Sequence, residues 1–140
     1  NNLGNLYLRL GQLDEAVVEY RAAIELDSGY EKAHYNMGQA YMRLQRFDEA
    51  LQSLQVARGL APEDVEVNYF LGLLYARAGA FDKAAEVLAV AVAGKPDFID
   101  ARQKLAVAYL KAGQVEASKR EVAVIQKMKE AGAVEGGEDE

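Results

Sequence analysis

The side chains that most often perform chemistry are scarce in this 140-residue sequence. It contains one histidine, His34, and no cysteine. A lone imidazole without thiolates does not supply the ligand set of an ordinary zinc site. The serines Ser28, Ser53 and Ser118 show no base and orienting acid that would make one of them a nucleophile. The sequence therefore predicts no catalytic residue, no metal ligand and no cofactor.

Basic side chains that recur every 34 residues indicate recognition rather than catalysis. These residues are Arg9, Arg43, Arg77 and Lys111. Guanidinium and ammonium groups form charge-assisted hydrogen bonds with carboxylates, so the row suits an acidic peptide or a C-terminal carboxylate. The alternative is that each is simply a solvated surface charge. The acids Glu63 and Asp64 are better suited to capping a helix than to acid–base work.

The overall charge argues against nucleic acid as a ligand. The net charge is −6, and Glu135, Glu138, Asp139 and Glu140 contribute four of the negative charges within the last six residues. Phosphate binding needs a basic surface, which this composition does not provide. No apolar run approaches the roughly 20 residues of a membrane span. We expect a soluble protein, cytoplasmic or periplasmic, whose compartment the sequence leaves open.

The same sequence motif occurs four times along the chain, with a period of 34 residues. The tyrosines of the period are Tyr7, Tyr41, Tyr75 and Tyr109. The first small residues are Gly4, Gly38, Gly72 and Ala106, and the second are Ala16, Ala50, Ala84 and Ser118. A glycine follows the tyrosine at Gly11, Gly79 and Gly113, and Gln45 takes this position in the second repeat. A fixed period of this length indicates stacked supersecondary units.

Each period is predicted to hold two helices. In the third, apolar residues at three- and four-residue steps form one helix face. They are Val67, Leu71, Leu74, Tyr75 and Ala78. Gly79 is expected to end that helix in the left-handed conformation. Gln45, at the same position of the second repeat, would have to adopt this conformation at a cost of about 1 kcal/mol.

The helix starts and the helical glycines are predicted as well. Asp82 begins the second helix, and Ser28 with Glu31 is predicted to form a capping box. Glycine inside a helix is costly, so Gly72 implies a compensating close approach of helices.

These residues resemble the tetratricopeptide repeat, whose pattern is L-G-x-x-Y, then G, then F/L-D-x-A, with a proline before the next repeat. The resemblance implies an all-α fold, an α-solenoid of stacked antiparallel helix pairs in a right-handed superhelix. The array is predicted at 1–130, as repeats 1–30, 31–64, 65–98 and 99–130, followed by an acidic disordered tail at 131–140. The first repeat begins part-way through its first helix, so we expect the parent protein to extend upstream. The fourth repeat, with a charged second helix, is interpreted as the cap of the array.

The family binds peptide segments of partner proteins in a concave groove lined by the first helix of each pair. The resemblance places His34 as a packed structural residue. It also predicts the groove residues Asn5, Arg9, Tyr35, Asn36, Gln39, Arg43, Tyr69, Phe70, Leu73, Arg77, Lys104 and Lys111. Phe70 and Leu73 replace the polar side chains of the first two repeats and, with Tyr69, predict an apolar binding patch. The alternative is that neighbouring helices cover this patch.

Two variants of the family offer further comparisons. The carboxylate clamp that binds chaperone C-termini is matched by Asn5 and Asn36, but Asn1, Glu66 and Phe70 stand at its other places. The asparagine ladder of glycosyltransferase-linked arrays begins at Asn2 and Asn36 and is broken by Phe70 and Lys104.

We therefore predict a non-catalytic scaffold that binds a partner peptide in its groove. Two alternatives remain: the targeting repeats of a larger enzyme such as a glycosyltransferase, and a self-assembling scaffold that pairs through its exposed N-terminal helix.

Overall fold

The structure is a computed structural model that describes the backbone of residues 1–136 and the side chains of residues 1–132. The described part contains eight helices. They are α1 (Asn2–Leu10), α2 (Leu13–Leu26), α3 (Glu31–Arg43), α4 (Phe47–Leu60), α5 (Val65–Arg77), α6 (Phe81–Gly94), α7 (Ile99–Lys111) and α8 (Val115–Gly136). The predicted all-α repeat fold is confirmed. Helix α8 extends through residues 131–136 of the predicted tail, and residues 137–140 lie outside the described residues, so disorder stays a prediction for 137–140 alone.

The turn inside each helix pair contains one residue in the left-handed conformation. Three of these are glycines, and their φ angles are 77° at Gly11, 77° at Gly79 and 82° at Gly113. The fourth is Gln45, with a φ of 59°. The left-handed geometry predicted for Gln45 is therefore confirmed. A side chain with a Cβ is strained in this region, so repeat 2 carries a local backbone cost that the other turns avoid.

The predicted caps at the starts of the first helices are confirmed at α5 and wrong at α3. At α5, the carboxylate Oδ1 of Asp64 accepts a hydrogen bond of 2.9 Å from the backbone N–H of Val67, which confirms that Asp64 caps a helix. The capping box at Ser28 is wrong. Tyr30 occupies the N-cap of α3 and its side chain makes no capping hydrogen bond, and the N–H of Gly29 donates to Asp27 Oδ1 at 3.0 Å. This turn is closed by Asp27, which leaves Ser28 exposed.

Close approach of the two helices in a pair explains the repeated helical glycine. A Cβ on Gly38 would lie 2.7 Å from Leu54 Cγ, and one on Gly4 would lie 2.8 Å from Tyr20 Cε1. A Cβ on Gly72 would likewise clash with Leu88. The compensating packing predicted from the sequence is confirmed, because each glycine makes room for a fully buried partner on the second helix.

The chain forms two compact halves, Asn1–Val67 and Asn68–Glu140, with the boundary inside α5. In the N-terminal half, consecutive helices from α1 to α4 pack on one another, and Tyr20 and Leu54 are fully buried. In the C-terminal half, α6 packs on α7 and α7 packs on α8. The core of that half contains the buried residues Ala84, Ala85, Leu88, Val92, Ala101, Leu105 and Ala108.

Two side chains at the same repeat position hold the chain that enters a first helix. His34 Nε2 lies 3.0 Å from the backbone oxygen of Ser28, and Arg102 Nε donates to the backbone oxygen of Pro96 at 2.7 Å. Each partner lies six residues upstream. His34 is also buried, so its predicted structural role is confirmed. Arg102 additionally donates to Glu121 Oε2 at 2.8 Å, which ties α7 to α8.

The fourth helix pair differs from the other three. Ala106 stands at the glycine position, and Val122 stands where Tyr20, Leu54 and Leu88 are fully buried. Val122 keeps 54% of its surface exposed. The prediction that repeat 4 presents a polar cap is therefore right only in part, because α8 exposes Val122 and Val124 beside its charged residues.

Gln45→Gly should stabilise the protein, because glycine adopts the left-handed conformation without the Cβ penalty. We expect a gain of about 1 kcal/mol and a rise in Tm of about 3 °C, measured by thermal denaturation followed by circular dichroism. Gly79→Gln is the matched control, since a Cβ there meets no atom within 4 Å and only the backbone cost changes. It should lower the Tm, and a fall of Tm in Gln45→Gly would contradict the interpretation.

Gly72→Ala should destabilise the protein, because the added methyl group overlaps Leu88. A loss of about 2 kcal/mol is expected in urea denaturation, within the range found for overpacked cores. Gly59→Ala is the control with the opposite sign. It lies in α4 with no atom near its Cβ position, so it should stabilise by about 0.5 kcal/mol through helix propensity. Equal effects of the two substitutions would show that the close approach does not matter.

Candidate functional site

In the N-terminal half, one residue of the basic row, Arg43, is hydrogen-bonded within the protein itself. Arg43 Nη1 donates a 2.7 Å hydrogen bond to the backbone oxygen of Leu8 in the last turn of α1. A helix C-terminus carries partial negative charge and unpaired carbonyls, so a guanidinium is stabilised there. Arg43 thus connects the ends of α3 and α1. Arg9, at the same position of repeat 1, is exposed.

In the C-terminal half the basic residues of the predicted groove are exposed. Arg77, Lys104 and Lys111 are exposed, and they lie on α5 and α7. Lys111 Nζ lies 5.4 Å from the centre of the Phe81 ring, a cation–π contact that leaves the ammonium group in water. This half therefore offers positive charge on the first-helix surfaces at which the sequence predicted it.

The predicted amides of the N-terminal half lie together and bond to one another. Asn5 Oδ1 accepts from the Tyr20 hydroxyl at 2.7 Å and from Asn36 Nδ2 at 3.0 Å. Burial raises the pKa of Tyr20 to about 12, since an ionised phenol would lose its hydration. Asn5 and Asn36 therefore help hold α1, α2 and α3 in place.

A second polar chain in the N-terminal half joins Tyr35 to two neighbours. Gln39 Nε2 donates to the Tyr35 hydroxyl at 2.7 Å, and that hydroxyl donates to Glu66 Oε2 at 2.8 Å. Burial, followed by the hydrogen bond to Glu66, raises the pKa of Tyr35 above its usual range. Glu66 was considered in the sequence only as a mismatch to the carboxylate clamp. Its place in the first turn of α5, one repeat after Tyr35, is the signal that links the two.

A small cavity of about 150 Å³ lies beside Tyr35. Its lining residues are Glu31, Lys32, Tyr35, Asn36, Asp64 and Glu66. Burial and the nearby charge of Asp64 raise the pKa of Glu31. Among the residues whose structure is described, no cluster of histidine, cysteine and carboxylate side chains is able to hold a metal ion.

The predicted apolar patch lies in the C-terminal half and includes an aromatic residue that the sequence analysis missed. The Tyr69 ring centre is 5.4 Å from that of Phe70 and 4.6 Å from that of Phe98, both in tilted orientations. Tyr69 also packs against the core of this half, and burial, with the charge of Asp100, raises its pKa. Phe70 and Leu73 are partly exposed. The signal for Phe98 was its position directly before α7, where repeat 1 has Tyr30.

These features define an all-α helical-repeat protein whose predicted site residues lie on the first helix of each pair. Tetratricopeptide-repeat models match residues 4–45, 35–97 and 75–131, so together they span nearly the whole chain. The chain belongs to the tetratricopeptide-repeat family. This membership supports a protein-interaction scaffold with protein partners. No curated protein matches the sequence significantly.

Solved structures of the protein MamA have a similar fold. One MamA crystal structure superposes with a TM-score of 0.85 at 28% identity, over 94% of this chain and 77% of that one. A second has a TM-score of 0.84 at 28% identity, over 94% and 72% of the two chains. MamA from Desulfovibrio magneticus RS-1, at 22% identity, covers 93% and 73% with a TM-score of 0.81 and shares the fold alone. As for membranes, the helices of the described residues are all too short or too polar to cross one.

Tyr20→Phe tests the burial of the Tyr20 hydroxyl, which donates to Asn5, through the pH dependence of the unfolding free energy. At pH 7 the variant should lose about 1 kcal/mol, because Asn5 Oδ1 keeps its second donor. The raised pKa of Tyr20 stabilises the folded state below about pH 10, and this contribution is lost as the pH rises from about 10 to about 12. The difference in unfolding free energy between the two proteins should therefore shrink over that interval. A constant difference would contradict the assignment.

Proposed function

We infer that the chain is a non-catalytic scaffold that binds a short segment of a partner protein along the exposed faces of its first helices. Its family and its fold support a role in protein interaction. The finer part of the proposal concerns where the segment is held most strongly. The residues that bear on this are Tyr69, Phe70 and Leu73 in the C-terminal half.

The observation that carries this proposal is the chemical contrast between equivalent positions. In the N-terminal half, Asn36 donates to Asn5 and Gln39 donates to Tyr35, so these side chains already have partners in the free protein. The same repeat positions in the C-terminal half are held by Phe70 and Leu73, which remain partly exposed. Completing the burial of one such side chain is worth up to roughly 1.5–3 kcal/mol. Apolar anchors of this kind dominate the energetics of interfaces.

The charges of the C-terminal half favour a segment that combines apolar and acidic residues. Arg77 lies one helical turn from Leu73 on α5, and Lys104 and Lys111 are exposed on α7. Carboxylates of a bound segment would pair with these groups, which adds specificity and speeds association more than it adds affinity. In the N-terminal half, Arg43 is bonded to Leu8, so we assign that arginine mainly to the fold.

The double variant Phe70→Ala, Leu73→Ala tests the proposal. Peptides of about 12 residues are selected from a random library against the whole chain, and their Kd values are measured by fluorescence anisotropy. Loss of two partly buried anchors should weaken the selected peptides at least tenfold, equivalent to about 1.4 kcal/mol or more. The selected peptides should be enriched in aromatic and acidic residues.

A matched control separates binding from folding. Val56→Ala removes an exposed apolar side chain on α4, away from the first helices, and should leave the Kd unchanged. The far-ultraviolet circular dichroism of the double variant should equal that of the native chain. Unchanged affinity in the correctly folded double variant, or failure to select any peptide, would overturn the proposal.

A further inference from the structure

The N-terminal half contains a concave site of its own, which the apolar residues of the C-terminal half do not reach into. It is the cavity of about 150 Å³ beside Tyr35, and we call it the α3 cavity. Its lining combines three acids with one base, one phenol and one amide: Glu31, Asp64, Glu66, Lys32, Tyr35 and Asn36. All six residues belong to the same compact half, so the cavity is formed within one unit of the fold.

Two of the three carboxylates are held in place by the fold. Glu66 Oε2 accepts the 2.8 Å hydrogen bond of the Tyr35 hydroxyl, and Asp64 Oδ1 accepts from the backbone N–H of Val67 at 2.9 Å. The Gln39 amide donates to the Tyr35 hydroxyl at 2.7 Å and so fixes the phenol in turn. Side chains that are already ordered lose little conformational entropy when a ligand binds, so this side of the cavity is preorganised.

The third carboxylate, Glu31, carries a charge that the fold does not pair. It is half-buried and makes no hydrogen bond or ion pair with the residues that the structure describes. Burial, followed by the charge of Asp64, raises the pKa of Glu31, while the nearby charges of Lys32 and His34 oppose the rise. Lys32 is exposed and forms no ion pair with a described carboxylate. A cation inside the cavity would therefore stabilise a carboxylate that is partly desolvated and unpaired.

The charge of the surrounding half also favours a cationic ligand. Residues 1–67 contain 11 acidic and 6 basic side chains, so they carry −5 of the net charge of −6. Among the residues of the C-terminal half whose side chains are described, 68–132, there are 10 basic and 7 acidic ones, a net charge of +3. A negative field raises the local concentration of cations and repels acidic segments. The N-terminal half therefore attracts the opposite kind of charge from the C-terminal half.

The arrangement of the carboxylates favours one kind of cation. Glu31 lies in the first turn of α3, Asp64 lies just before α5, and Glu66 lies in the first turn of α5. The ammonium group of lysine is a compact charge with three donors, so it is able to face several acceptors at once. The planar guanidinium of arginine instead suits two parallel bonds to a single carboxylate. The described residues offer no cluster that is able to hold a metal ion.

We propose that the α3 cavity binds the side chain of a lysine from a partner protein, with the ammonium group against Glu31 and Glu66 and the alkyl stem against Tyr35. The stem packs on apolar surface while the charged end meets the carboxylates. This site is additional to the residues around Phe70 that we propose as peptide anchors, and it lies in the other half, so either proposal is able to fail alone. Acetylation of the partner lysine removes its charge and therefore abolishes the contact.

The test titrates the whole chain with a capped pentapeptide, Ala-Ala-Lys-Ala-Ala, and follows the backbone amide signals by ¹H–¹⁵N NMR at low ionic strength. The amides of residues 31–36 and 64–67 should shift and saturate in the millimolar range, since a contact through one side chain is weak. The same peptide with Nε-acetyl-lysine should bind at least tenfold more weakly, because it has lost the charge. n-Butylamine, which reproduces the lysine side chain alone, should shift the same amides.

Matched variants separate the cavity from the general charge of the half. Glu31→Gln and Glu66→Gln each remove one cavity charge and should weaken the lysine peptide at least threefold. Glu15→Gln is the control, because Glu15 is an exposed acid in the first turn of α2 and its loss changes the net charge equally. It should leave the Kd unchanged. The far-ultraviolet circular dichroism of all three variants should equal that of the native chain.

Four outcomes would overturn the proposal. They are the absence of a saturable shift up to about 50 mM peptide, equal binding of the acetylated peptide, equal weakening by Glu15→Gln, and unchanged binding in both cavity variants. Binding of n-butylamine without binding of the lysine peptide would mean that the cavity admits only a free amine, and it also contradicts the proposal.

Discussion

The fold depends on one constraint, which is the close approach of the two helices within a pair. Gly38 faces Leu54, and Gly72 faces Leu88, at distances that leave no room for a methyl group. Because the glycine removes its own Cβ, the large partner becomes fully buried and the apolar surface around it is removed from water. The cost of a flexible residue inside a helix is offset at the same site. The hydrogen bonds between helices form on a backbone arrangement that this close contact determines.

On that common scaffold the two halves use the first-helix positions in different ways. The N-terminal half connects its amides and tyrosines to one another, so Asn5 and Tyr35 serve the fold as well as any ligand. The C-terminal half places rings and a leucine there, with Tyr69 packed on Phe98 and Phe70 partly open to solvent. A polar network that is already satisfied gains little by exchanging partners, whereas an exposed ring gains by burial. This contrast is the physical basis for the proposal that the stronger binding surface lies in the C-terminal half.

Much of the fold could be predicted from the sequence because residues with the same structural role recur every 34 residues. The left-handed Gln45, the helical glycines and the structural His34 all followed from comparing equivalent positions. The errors arose where a short motif was interpreted without its neighbours: Ser28 and Glu31 looked like a capping box, but Asp27 closes that turn instead. The site was harder to predict. Contacts such as Tyr35 with Glu66 join side chains 31 residues apart, and their formation depends on rotamers that no spacing rule provides.

The short-range character of the contacts also has a kinetic consequence. His34 holds a carbonyl six residues upstream, Arg102 does the same, and within each half the helices that pack are neighbours along the chain. Such contacts close small loops, so little chain entropy is lost before they form, and topologies of this kind fold quickly. Folding is therefore able to begin at one place within such a series of helices and to extend from each helix to its neighbour, because every new contact needs only the adjacent element.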